Sequence, residues 1–199
     1  TLAGALSRRG KNVLVLERGG AMALEDQNVA DVDLFRKDRY HPKSERWFGP
    51  DGDPFAPQTT YARGGNTKIW GAVLERMREQ DFNEVALQDG VSPAWPLDYA
   101  ELAPYYEQAE TLYRVHGKAG VDPCEPQRST GYERAPKPVE PFLEPLRSDL
   151  QRQGCQPYDM PISWSDDRDD PSGDSQLFGL QVGDPERLTV RDNARVLRL

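Results

Sequence analysis

The sequence predicts an α/β fold, and three observations predict it. "TLAGALSRRG" reads as a short helix closed by glycine, "NVLVLE" as a strand ending on a carboxylate, and "ERLTVRDNARVLRL", late in the 199 residues, as further strand. A helix leading directly into an apolar strand, with strand returning at the far end, is the pattern of a sheet flanked by helices.

In the first element Leu2, Ala3, Ala5 and Leu6 share one helical face, and Gly10 follows Arg8 and Arg9 as a C-terminal stop with cations in the last turn. Val13 to Leu16 are four successive apolar residues, too few for a second helix and apolar toward both faces, as in a parallel strand covered above and below. Burial of each such side chain contributes about 1.5 to 3 kcal/mol, so a neighbouring strand before the helix is expected. Helix, glycine turn, strand and terminal acid make the second half of a βαβ dinucleotide-binding unit. Glu17 would accept hydrogen bonds from the adenosine ribose, and a GxGxxG is expected just upstream of Thr1. The same residues also fit any α/β strand that ends in an acid. The chain opens inside an element without methionine and stops in a strand, so a fragment of a longer enzyme is expected.

Composition narrows the function classes. Lys and Arg number 25 against 33 Asp and Glu, and a net charge of -8 repels phosphate backbones, which argues against nucleic acid as a partner. No apolar run approaches the ~18 residues that cross a bilayer, so no membrane span is expected. Cys124 and Cys155 are the only cysteines and suggest no disulfide framework; the compartment stays open, with the cytoplasm favoured.

Residues 36 to 58 mix charge, aromatics, Gly and Pro without periodicity and read as a long surface excursion, a candidate cover for a cofactor or substrate. In "YARGGNTKIWGAVLERMREQDF", residues 61 to 82, Gly64 and Gly65 precede Asn66 and Thr67, a turn that lets backbone approach something flat or charged. In "WPLDYAELAPYYEQAETLYRV", Asp98 and Glu101 form a capping box, and Leu102, Tyr105, Tyr106, Ala109, Leu112 and Tyr113 keep helical spacing as a core stripe. Pro104 is expected to split this segment into a short turn and a longer helix. After a Pro-rich connection over 117 to 141, Phe142, Leu143, Leu146 and Leu150 fall on one face of a helix stopped by Gly154. "SDDRDDPSGD" lacks the spacing of a calcium loop and reads as solvated acid; no metal site is expected. The final segment reads as two strands, one through Leu188 and Val190, the other through Val196 and Leu197, joined at Asp192 and Asn193.

The order "ERGG", long polar loop, "GGNTKIWG", "DF" and "WPLDYAELAPYYEQAE" resembles the glucose-methanol-choline (GMC) oxidoreductases, in particular their bacterial choline-dehydrogenase-like branch. The likeness implies an incomplete FAD-binding Rossmann-like domain, lacking its first strand and GxGxxG, with helical and loop insertions. It implies a domain over 1–90, segments packed beside it over 91–181, and return strands over 182–199. FAD is the cofactor it implies, with Glu17, Arg63, Gly64, Gly65, Asn66, Thr67, Trp70, Gly71 and the backbone of Val196 as binding residues. Trp70 would equally serve as a core anchor. Ile69 stands where relatives of the pyranose oxidase type carry the histidine bonded to flavin, so the flavin is expected to be non-covalent. The resemblance further implies oxidation of a small-molecule alcohol by hydride transfer to flavin N5, with an unidentified electron acceptor. Its histidine base lies beyond Leu199, and His41 and His116 match no catalytic motif, so no catalytic residue is assigned to this chain. Two other readings stay open: a nicotinamide dehydrogenase or flavin monooxygenase using the same unit, and a non-catalytic interaction domain.

Overall fold

The structure, a computed structural model, describes residues 1–21, 45–57, 59–68, 71–163 and 183–198. Its described helices are α1 (Leu2–Arg8), α2 (Tyr99–Leu112) and α3 (Glu144–Arg152). Its strands are β1 (Val13–Leu16), β2 (Trp47–Phe48), β3 (Pro54–Phe55), β4 (Val85–Leu87), β5 (Gly90–Ser92), β6 (Val115–His116), β7 (Ile162–Ser163) and β8 (Leu188–Arg191). They belong to two compact units: Thr1–Trp70 with Gln176–Leu199, and Gly71–Ser175.

The first unit is built on the strand pair β1 and β8, parallel and in the register Val13↔Leu188 to Leu16↔Arg191. The mixture of helix and strand fits the expected α/β class. α1 ends where the sequence says it should. Gly10, at φ +79°, donates its N–H to Ser7 O at 2.9 Å, and Lys11 N–H reaches Leu6 O at 3.1 Å. This double closure satisfies two carbonyls that a helix end otherwise leaves unpaired.

The covered face of α1 differs from the expected one. Leu2 is exposed, whereas Gly4 and Ser7 are buried. Ser7 Oγ donates to Gly4 O at 3.0 Å and accepts the Asp184 N–H at 2.9 Å, which ties the helix to the approach to β8. β1 is covered on one face only: α1 touches both strands, and Leu14 and Leu16 remain 54% and 45% exposed. The two-sided cover read from four apolar residues is therefore absent among the described residues, because run length reports hydrophobicity and not the presence of a second layer. A short antiparallel pair, β2 with β3, brings the Trp47 and Phe55 rings edge to face at 6.3 Å. Residues 45–57 thus carry a short, exposed hairpin within the expected surface excursion.

In the second unit α2 opens on the expected capping box: Asp98 Oδ1 accepts the Glu101 N–H at 3.0 Å, and Glu101 Oε2 accepts the Asp98 N–H at 3.2 Å. The helix then runs unbroken through Pro104. Only one backbone donor is lost there, in the second turn of a 14-residue helix, so the helix continues where a split was expected. Tyr99, Phe82 and Val115 form the buried apolar centre, with Tyr99 stacked on Tyr106 at 6.0 Å; Tyr105, placed in the core stripe by spacing, is exposed. The remaining strands form two pairs, the hairpin of β4 with β5 and the antiparallel pair of β6 with β7.

Under this centre lies an ion network. The Arg76 side chain is 2% exposed and forks onto Glu110 at 2.7 and 2.8 Å while donating to Tyr99 Oη at 2.9 Å. Arg128 Nη2 meets the same carboxylate at 2.6 Å and also pairs with Glu125. Burial opposes the Arg76 charge, but the hydrogen bonds to Glu110 and Tyr99 outweigh it and raise the guanidinium above its ordinary value. α3 closes at Gly154 as expected; Leu146 within it, like Phe142 and Leu143 in the 3₁₀ turn Pro141–Leu143 before it, is exposed.

Candidate functional site

The strongest convergence of candidate residues lies in the first unit, at the C-terminal end of β1 and β8. In a parallel sheet this end presents loops to ligands. Glu17 follows β1 directly. Its backbone is locked on both sides, its N–H donating to Arg191 O and its carbonyl accepting from Ala194 N–H, both at 2.8 Å. The carboxylate is half-buried, and Oε1 accepts the Gly19 N–H at 2.7 Å. Among the described residues Oε2 has no partner, so one acceptor oxygen is held in a fixed direction and remains available.

The chain then meets the glycine-rich loop. Gly20 bridges Ala62 in parallel, and Arg63 N–H donates to Gly20 O at 2.9 Å. Contact is so close that a Cβ on Gly19 would lie 2.0 Å from the Tyr61 carbonyl carbon and oxygen, a separation only glycine permits. Arg18 lies over the Tyr61 ring at 3.8 Å and pairs with Glu45, to which the Tyr61 hydroxyl also donates. That hydroxyl, aided by Arg18, holds the Glu45 carboxyl below the usual carboxylate value.

The loop is a tight turn with Gly64 at φ +95° and Gly65 at φ +58°, running into a 3₁₀ turn over Gly65–Lys68. Asn66 Oδ1 accepts the Thr60 N–H at 2.7 Å and Thr67 Oγ1 donates to Gly64 O at 2.6 Å, so both side chains brace the loop from within. The Gly65 and Thr67 N–H groups bond to Ala62 O and Gly64 O. These two amides are committed internally, and the loop's outward donors are fewer than a count of its amides suggests. Thr60 is 3% exposed, and its hydroxyl is the one buried side-chain polar atom among the described residues without a partner.

Two further residues complete the convergence; the sequence marked them as a turn but not as part of the site. Asp192 receives a two-point ion pair from Arg63, Nε to Oδ1 at 3.0 Å and Nη2 to Oδ2 at 2.6 Å. Asn193, at φ +53°, donates its N–H to Gly19 O at 2.9 Å, and its side-chain amide lies beside Gly20. Only the glycine doublet of "ERGG" hinted at so close an approach.

The structure thus brings Glu17, Arg63, Gly64, Gly65, Asn66 and Thr67 together. Trp70 and Ile69 lie outside the described residues, as do His41 and the acidic run 165–174. Gly71 opens the other unit, where a Cβ would meet nothing within 4 Å. Val196 is 49% exposed in an irregular tail, and the second return strand expected there does not form. With Arg191 and Ala194 both bonded to Glu17, the chain turns away at Asn193 and gains no further ladder. His116 is bonded through Nδ1 to the Ala135 carbonyl at 2.8 Å, which makes that nitrogen the protonated one and the ring a local brace. Cys124 and Cys155 are free and exposed, and no described helix is long and apolar enough to cross a membrane.

No family model matches the chain. It is 30% identical to 6'''-hydroxyparomomycin C oxidase of Streptomyces lividus over 166 residues, which covers 79% of this chain and 28% of that protein. It is 28% identical to paromamine 6'-oxidase of Streptomyces fradiae over 208 positions, 98% of this chain and 38% of that protein. Over 81 residues, 39% of this chain and 14% of the relative, it is 38% identical to 2-methyl-1,2-propanediol dehydrogenase of Mycolicibacterium austroafricanum. The chain therefore spans well under half the length of these relatives.

Proposed function

We propose that the chain is the FAD-binding portion of a GMC-type oxidoreductase that oxidises the CH–OH group of a small alcohol. The observation that carries this reading is the joining, at the end of a parallel strand pair, of the segment that follows Glu17 to the residue that opens the Gly64–Gly65 turn, through the 2.9 Å bond from Arg63 N–H to Gly20 O. The similarity to two oxidases and a dehydrogenase supports the same class, and the names of the first two point to a substrate of the hydroxyparomomycin or paromamine kind.

The residues fit such a cofactor. A carboxylate with one oxygen fixed and the other open suits a ribose diol, which needs a charged acceptor. Two successive glycines at positive φ leave a surface without Cβ atoms, over which a flat ring system or a diphosphate can lie. When bound, FAD supplies the two-electron acceptor for hydride from the alcohol carbon. The chain's own residues bind and orient: Glu17 holds the sugar, the 60–67 segment shapes the wall, and the strand pair keeps both in register. Proton abstraction from the alcohol is assigned to no residue here.

Titration with FAD of the longer oxidoreductase that would carry this chain, followed by flavin fluorescence, tests the reading. Saturable binding is expected, weakened about tenfold or more by Glu17→Gln, since hydrogen bonds to a charged acceptor contribute about 1.5 to 3 kcal/mol. Absence of binding, or tighter binding of NAD than of FAD, would refute it.

A further inference from the structure

We propose that Asp192 is a positioning residue for the glycine-rich loop: by clamping Arg63 at two points it fixes the Gly64–Gly65 turn against the end of β8, and so sets the shape of the cofactor wall. The inference rests on the flavin reading above and adds a residue and a role to it. Two consecutive glycines are the most freely jointed backbone a loop can have, so the turn's own preferences do not hold it in place. Asn66 and Thr67 brace the loop from within, and its register against β8 comes from what precedes it. The backbone supplies one anchor, Arg63 N–H to Gly20 O at 2.9 Å. The side chain of the same residue supplies the second, Nε and Nη2 onto the two oxygens of Asp192 at 3.0 and 2.6 Å. A planar fork held at both prongs has one orientation, which restricts the Arg63 backbone and the glycine that follows it. Asp192 is itself immobilised, lying between Arg191, bonded to Glu17 N–H, and Asn193, bonded to Gly19 O. The clamp therefore joins the loop to the strand end that carries Glu17.

This geometry also redefines Arg63. Its charge is committed to Asp192, so it acts through the loop and not as a free cation for a diphosphate.

The test compares the longer oxidoreductase that would carry this chain with its Asp192→Asn, Asp192→Glu and swapped double variant, Arg63→Asp with Asp192→Arg. Amide hydrogen exchange over residues 60–68 reads the clamp, FAD titration reads the wall, and urea unfolding checks that each variant is folded. Asp192→Asn is expected to speed exchange and weaken FAD binding, each about fivefold, as befits a half-exposed but two-point ion pair. Asp192→Glu and the swap should recover most of both losses, and the difference from the unsubstituted chain should fade in about 1 M salt, where the screening length is ~3 Å. Unchanged exchange in Asp192→Asn would overturn the clamp. Faster exchange with unchanged FAD affinity would overturn the positioning role. Failure of the unsubstituted chain to bind FAD would overturn the flavin reading and this role together, with the exchange data still separating a clamped from an unclamped loop.

Discussion

Replacing Glu110 by Gln puts the ion network of the second unit to a quantitative test. The substitution keeps shape and removes one charge from a carboxylate that accepts three charge-assisted bonds, two from Arg76 at 2.7 and 2.8 Å and one from Arg128 at 2.6 Å. The amide retains one accepting oxygen, so one or two of the three bonds are lost, according to which oxygen its nitrogen replaces, at about 1.5 to 3 kcal/mol each. Arg128 keeps Glu125, whereas Arg76, 2% exposed, keeps the neutral Tyr99 hydroxyl as its hydrogen-bond partner and the Tyr106 ring at 5.7 Å. The loss therefore falls on a buried cation left without a bonded carboxylate, for which up to about 3 to 5 kcal/mol is expected. A domain of this size has about 5 to 15 kcal/mol in total, so the variant should sit near its unfolding threshold at 25 °C. Urea unfolding of the whole chain, followed by tryptophan emission, reads this directly, because Trp95 lies 6.3 Å from Phe82 in the same unit. A loss below about 1 kcal/mol would show that the network is solvated and would refute the reasoning. Replacing the pair together, Arg76→Met with Glu110→Leu, should restore part of the loss, since it removes the Arg76 charge and leaves Arg128 paired with Glu125.

Two further predictions concern the first unit. Glu45 is held below its ordinary carboxylate value by the Tyr61 hydroxyl and Arg18, so its contribution is present above about pH 4.5 and is lost as pH falls through the lower folded-state value. Acid unfolding of Tyr61→Phe should accordingly begin at higher pH than that of the unsubstituted chain; coincident curves would count against the link. Gly19→Ala places a Cβ 2.0 Å from the Tyr61 carbonyl and should destabilise the unit by about 3 kcal/mol, whereas Gly71→Ala, with open space around it, should change stability by less than about 0.5 kcal/mol in thermal denaturation.

How far the sequence reveals this structure depends on the range of the interaction. α1 with its Gly10 closure, β1, the Asp98–Glu101 capping box and the Gly154 closure were all legible, since each is decided within a few residues. Pro104 misled because a missing donor can be absorbed inside a longer helix, and Val196 misled because an apolar pair makes strand only where a ladder is on offer. The one-sided cover of β1 was hidden because four apolar residues look alike whether or not both faces are occupied. Of the candidate site, Glu17 and the double glycine stood out by type and spacing. Asp192 did not, because its meaning depends on Arg63, which only the fold brings beside it.

The parallel pairing of Val13 with Leu188 dictates an order of events during synthesis. β1 leaves the ribosome early and must wait for its neighbour, while the unit Gly71–Ser175 emerges whole in the interval. Once that unit forms, the bond from Ser163 N–H to Ala72 O at 2.9 Å short-circuits roughly half of the intervening chain, which lowers the entropic cost of the final closure by about 0.6 kcal/mol. The inserted segment thus acts as an intramolecular splint, and lesions that delay its collapse will lengthen the time for which the apolar edge of β1 stands bare to aggregation.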